Sequence, residues 1–225
     1  MARFDRLTVL NTMIAEGMVP LFYHNDVGTA QQIASAIEQG GGHLLEFTNR
    51  GDFAIEVFSA LVKQGRTICP DLIIGAGSID DAPTAALYLA HGANFIVGPT
   101  FDEATARVCN RRKVAYLPGC GSLNEIATAE EWGVEIVKLF PGGAAGGPDF
   151  VRDIHGPRPW ARIMPTGGVS PDEDNLRAWF DAGVACVGMG SRLVRRSWVD
   201  AGDYASIAQM TTEVLERIRT LRSAH

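Results

Sequence analysis

Short apolar runs alternate with stretches of helical spacing along the whole chain, and this alternation constrains the fold most tightly. The runs are MVPLFYH (18–24), HLLEFTN (43–49), DLIIGAGS (71–78), NFIVGP (94–99), VAYLPG (114–119), EIVKLFP (135–141), ARIMPTGG (161–168) and ACVGMGS (185–191). Each is closed by Gly, Pro or a polar turn residue, as expected of buried strands. Between them apolar residues recur at helical spacing, for example Ile33, Ala34 and Ile37. In SPDEDNLRAWF, Ser170, Pro171 and Glu173 predict an N-cap, a first-turn proline and the reciprocal partner of a capping box. Strands separated by helices run parallel with right-handed crossovers. Eight such units in 225 residues predict an α/β fold, a (β/α)8 barrel, with residues 1–225 forming one domain. A doubly wound sheet is the rival, though it normally needs fewer strands.

Composition removes several classes of function. The formal charge of −6 argues against a nucleic-acid binder, which would carry a basic face, but not against small anions held by local amides and arginines. Cys69, Cys109, Cys120 and Cys186 form no CxxC pair, so reduced thiols in a cytoplasm are expected. No apolar run reaches the roughly 18 residues of a membrane span. The opening MARFDRLTVLNTMIAEG is too interrupted by charge for a signal-peptide core and predicts an amphipathic N-terminal helix.

Chemistry in such a barrel gathers at the C-terminal ends of the strands. There GVEIVKLFPGG places Lys138 among apolar neighbours. Side chains alternate across a strand, so Ile136, Lys138 and Phe140 share one face, as do Glu46, Thr48 and Arg50. If both faces point inward, an amine, a carboxylate and a guanidinium converge. A desolvated lysine loses charge more readily and becomes a nucleophile toward carbonyls. The bland alternatives are a lysine snorkelling at the rim and a structural ion pair with Glu46.

PTGG (165–168) and GMGS (188–191) follow the last two strands, where glycine-rich loops commonly hold phosphate in this architecture. Gly167, Gly168, Gly190 and Ser191 are the candidate anion-binding residues, with ordinary tight turns as the alternative. Thr48, Pro99, Phe140 and Thr166 lie at the same strand ends and complete the expected pocket wall. Ser78 in GAGS is a candidate for holding a carboxylate, or an ordinary turn residue. His24, His43, His91, His155 and His225 are scattered without an HxxxH pair, which predicts no metal site. Cys120 has no identifiable histidine partner and reads as a packed thiol. PGGAAGG (141–147) reads as a mobile loop beside Lys138.

From about Met18 to Val194, the ordered motifs MVP, LLEFTNR, IGAGS, LPG, KLFP, PTGGVS and GMGS resemble the 2-keto-3-deoxy-6-phosphogluconate and 4-hydroxy-2-oxoglutarate aldolase family. The resemblance implies a class I aldolase on a TIM barrel, usually a homotrimer, needing no metal or other cofactor. It implies a 2-keto acid substrate and pyruvate as a product. Lys138 matches the family's Schiff-base lysine and Glu46 its proton-shuttling glutamate. Arg50, and Ser78 where relatives often have threonine, match positions that hold the pyruvate carboxylate. Gly167, Gly168 and Ser191 match the region receiving the distal phosphate. The chain departs from the family at Pro141-Gly142-Gly143, where relatives often have PAE, at GMGSR with Arg192, and at FYHND (22–26). A phosphate-binding isomerase or epimerase, or a non-catalytic sugar-acid binder, remains the alternative.

Overall fold

The computed structural model describes residues 2–223. Nine strand segments occur in chain order: β1 Met18–Phe22, β2 Leu44–Thr48, β3 Ile73–Gly77, β4 Phe95–Val97, β5 Ala115–Leu117, β6 Gly119–Cys120, β7 Val137–Leu139, β8 Ile163–Pro165 and β9 Val187–Met189. The helices are α1 Arg6–Glu16, α2 Val27–Gln39, α3 Ala54–Gly65, α4 Ala82–Ala90, α5 Glu103–Arg112, α6 Leu123–Glu131, α7 Gly147–His155, α8 Glu173–Asp181, α9 Arg196–Asp200 and α10 Tyr204–Ser223.

All pairings are parallel, in the orders β5-β4-β3-β2-β1-β9 and β6-β7-β8. Two features close these arcs into one ring. β5 and β6 flank Pro118, which lacks the N–H a ladder requires, so a single barrel strand reads as two segments. On the far side, a parallel bridge between Thr166 and Gly188 joins the end of β8 to β9. The nine segments are therefore eight barrel strands, as the alternation predicts, each shorter than its apolar run.

Local chemistry sets the helix starts. Asp5, Asp26, Asp81 and Asp102 each cap a helix by accepting from the backbone N–H three residues on, and that residue is a threonine every time. The predicted capping box at Ser170 is corrected. α8 starts after Asp172, while Ser170 donates its backbone N–H to Asn175 Oδ1 and its hydroxyl to Asp172 Oδ2. Glu173 pairs with Arg177 instead of reaching back.

The expected N-terminal helix has a specific place. Val9, Leu10 and Met13 of α1 are buried against the barrel interior, where Leu44, Ile73, Phe95, Ile136 and Met164 point inward. Burying each of these three side chains contributes about 1.5–3 kcal/mol. α1 thus plugs the N-terminal end of the barrel and leaves the other end open. Because Leu44, Ile136 and Met164 face inward, so do Glu46, Lys138 and Thr166, two residues further on.

Candidate active site

Lys138 rises from β7 between Gly119 of β6 and Met164 of β8. It is 5% exposed, and its Nζ lies 4.6 Å from the centroid of the Phe140 ring. Glu46, on β2, is 1% exposed, and its Oε2 has no hydrogen-bond partner. A buried polar atom left unpaired costs about 1–3 kcal/mol, so its retention calls for an explanation beyond packing.

Burial lowers the Lys138 pKa, opposed by the negative charge of Glu46 and assisted by the positive charge of Arg50. Burial raises the Glu46 pKa, opposed by Lys138 and then Arg50. Desolvation wins in both cases, so burial moves each group toward its neutral form. Each feels the other's charge, yet among the described residues they form no direct ion pair. The arrangement therefore brings to one end of the barrel an amine and a carboxyl whose charged forms burial disfavours.

One step nearer solvent, Thr48, Phe140 and Thr166 line a cavity of about 1000 Å³. Arg50 also lines it, and its Nε donates to Ser78 Oγ at 3.2 Å, so the two predicted carboxylate-binding residues meet. Gly167, Gly168, Gly190 and Ser191 line the same cavity. Among the described residues the backbone N–H groups of Gly168 and Ser191 donate to no protein acceptor, which leaves them free for an anion, while the Gly167 N–H faces Gly188 in the bridge that joins β8 to β9.

Two expectations change. Pro99 does not line the cavity; it is half-buried and its backbone packs against Gly119, where an added Cβ would lie 2.5 Å from Pro99 C. The PGGAAGG stretch, expected as a free loop, is tied down. Gly142 N–H donates to Thr166 O at 2.8 Å and Gly143 N–H to Gly167 O at 2.9 Å, and Gly147 already begins α7. These bonds join the loop after Lys138 to the anion-site loop.

Cys120 is 1% exposed, and burial pushes its thiol up to about 12, so it is a packed thiol. Among the described residues no three His, Cys, Asp or Glu side chains group as metal ligands; His225 lies outside the described residues. No helix of the described chain is long and apolar enough to cross a membrane.

The sequence reading missed Asn175, Arg196 and Asp200, which line the outer cavity. Their strand-remote positions gave no parity signal, although Arg196 and Asp200 stand at the i,i+4 spacing of their 3.4 Å ion pair. Arg192, already noted as a departure, lines the same outer wall.

The family profile described as KDPG and KHG aldolase matches residues 9–210. A 2-dehydro-3-deoxy-phosphogluconate aldolase from Pseudoalteromonas atlantica is 33% identical over 198 residues, covering 88% of this chain and 89% of the relative. A KDPG aldolase from Legionella pneumophila, solved with pyruvate captured as a covalent carbinolamine intermediate, superposes with a TM-score of 0.83 at 27% identity, over 91% of this chain and 97% of its own. The 2-keto-3-deoxy-6-phosphogluconate aldolase of Zymomonas mobilis, solved with 3-phosphoglycerate, gives a TM-score of 0.77 at 26% identity, over 91% and 93%.

Proposed function

The chain belongs to the KDPG and KHG aldolase family, and from that premise we propose that it cleaves a 2-keto-3-deoxy-6-phospho sugar acid, 4-hydroxy-2-oxoglutarate, or both. The products are pyruvate and an aldehyde, glyceraldehyde 3-phosphate or glyoxylate, and the intermediate is a Schiff base on Lys138. The observation that carries the residue assignment is the burial of both Lys138 and Glu46 at one end of the barrel, with Glu46 Oε2 left without a partner.

The steps follow from these positions. Neutral Lys138 attacks C2 of the keto acid and forms a carbinolamine, the kind of adduct that pyruvate makes in the Legionella enzyme. Loss of water, assisted by a proton from Glu46, gives the iminium. The Glu46 carboxylate then takes the C4 hydroxyl proton, the C3–C4 bond breaks, and its electrons pass through C3 and C2 to the iminium nitrogen. The aldehyde leaves. Glu46 returns the proton to C3 of the enamine, and water hydrolyses the resulting iminium to pyruvate.

Arg50 and Ser78 hold the substrate carboxylate, placing C2 against the amine. The free amides of the PTGG and GMGS turns receive the distal phosphate, a reading supported by the phosphorylated ligand of the Zymomonas structure. A homotrimer in the cytoplasm is the expected setting, testable by light scattering on the purified protein.

The test is pyruvate release, coupled to lactate dehydrogenase, from the gluconate-derived acid, its galactonate epimer and hydroxyglutarate, with the wild type and Lys138→Ala. Turnover lost in Lys138→Ala supports the assignment. Full turnover in that variant would overturn it and favour a phosphate-site isomerase.

A further inference from the structure

β3 presents no side chain at two successive inward positions, Gly75 and Gly77. The residues between and around them, Ile74 and Ala76, pack outward with the helices, and Ile73 packs inward. The two vacancies are filled from neighbouring strands. A Cβ on Gly75 would lie 2.5 Å from Phe95 Cγ, in the dry interior above the α1 plug. A Cβ on Gly77 would meet Glu46 and nothing nearer: 2.5 Å to its Cδ, 2.7 Å to its Cγ, and closer still to Oε1. The Glu46 side chain therefore lies directly over the bare backbone of Gly77.

Gly77 is not among the residues with positive φ, so its backbone tolerates a side chain. Its carbonyl accepts from Asn49 N–H at 2.8 Å, and its partner in the register is Thr48, which holds the strand in place. The flexible partner in any clash is the Glu46 side chain from Cγ outward. At Gly75 the neighbour needing the room is the Phe95 ring; at Gly77 it is the Glu46 carboxylate and its stem.

We infer that Gly77 is a positioning residue for catalysis: its missing side chain sets where the Glu46 carboxylate lies relative to the substrate carbons on Lys138. The inference rests on the proposed role of Glu46 and assigns the strand position that aims it. With an alanine there, the protein folds by swinging Glu46 aside. The amine still reaches its iminium at equilibrium, through a slower dehydration, but the proton transfers at C3 and at the C4 hydroxyl lose their partner. A displacement of about 1 Å at a reacting group costs about 100-fold in rate.

Exchange of the pyruvate methyl hydrogens in D2O isolates the step. In the iminium a proton passes from C3 to Glu46, the C3–H electrons form the C2=C3 bond, and the iminium nitrogen takes up the displaced pair. Return of a deuteron completes the exchange. Gly77→Ala, equilibrated with pyruvate before reduction, should keep the borohydride-trapped pyruvyl adduct on Lys138 at the wild-type level while exchange slows about 100-fold. Glu46→Gln should also exchange slowly, and adding Gly77→Ala to it should cost little more, because both changes act through one carboxylate.

Exchange at the wild-type rate in Gly77→Ala, with Glu46→Gln slow, overturns the positioning role and leaves Glu46 in place. A loss from Gly77→Ala that is as large in the Glu46→Gln background also overturns it, since that is what a merely structural glycine would give. Wild-type exchange in Glu46→Gln removes the role of Glu46 itself, and positioning with it. If Gly77→Ala fails to fold, Glu46→Asp, which withdraws the carboxylate by one methylene, must show the same split between adduct and exchange; undiminished exchange there overturns the inference.

Discussion

Replacing Lys138 by methionine should make stability depend on pH in a direction set by Glu46. Methionine fills similar space without charge, so the main change is electrical. In the wild type, burial raises the Glu46 pKa while Lys138, and after it Arg50, bring it down. Without Lys138 the carboxyl titrates higher still. Below the unfolded-chain value of about 4.3 the carboxyl is neutral in both states and costs nothing. Above it the unfolded chain has released the proton that the folded chain keeps, so stability falls as pH rises through the folded pKa. The slope for one proton is at most about 1.36 kcal/mol per pH unit. Over two units that reaches roughly 3 kcal/mol, or about 5–10 °C in Tm for a chain of this size. In the wild type Lys138 opposes this trend: its lowered pKa means that the folded chain binds fewer protons than the unfolded one as pH rises toward the lysine range. Thermal melts of both proteins between pH 5 and 8 should therefore diverge, with Lys138→Met losing ground as pH increases. Adding Glu46→Gln to Lys138→Met should flatten the curve. A gap that stays constant or narrows with pH would refute the coupling of the two groups.

Glu46→Gln removes the charge that favours protonated Lys138, so the pH profile of pyruvate adduct formation should move to lower pH. Its kcat for cleavage should fall about 10²–10⁴-fold, the usual worth of general acid–base catalysis. Arg50→Gln removes a charge that lowers the Lys138 pKa, so the same profile should move to higher pH. The loss of a charged hydrogen bond, about 1.5–3 kcal/mol, should raise the KM for the keto acid roughly 10- to 100-fold in steady-state assays. Cys120→Ala should keep activity within about threefold, because general base or nucleophile chemistry is closed to a buried thiol pushed up to about 12; a large loss of kcat would show a role that its packing does not reveal.

The barrel was legible because its signal is redundant. Eight apolar runs, each closed by a turn residue, survive the loss of a residue or two at every boundary, and the period of two carries inward direction from Ile136 to Lys138 and from Leu44 to Glu46. Helix starts were legible in principle through the repeated Asp-x-x-Thr caps, whereas the Ser170 capping box failed because Asp172 competes for the same role two residues later. The break at Pro118 follows from a visible proline, but whether a proline ends a strand or only interrupts it depends on what resumes pairing beyond it. Lys138, Glu46, Arg50 and Ser78 stand out as candidates in the sequence because strand-end position and residue chemistry coincide there. Asn175, Arg196 and Asp200 reach the cavity from later loops and helices, and no one-dimensional pattern encodes that path. Gly77 was hidden for a different reason: its importance lies in the side chain of another strand, and only the register of β2 against β3 brings Glu46 over it.

The most direct test is borohydride reduction of the protein with pyruvate, followed by peptide mass spectrometry. A buried amine whose pKa burial lowers, at the head of the barrel, predicts one reduced pyruvyl adduct, on Lys138, absent from Lys138→Ala. An adduct on another lysine, or none in protein shown to be folded, would contradict the assignment of Lys138 as the Schiff-base residue.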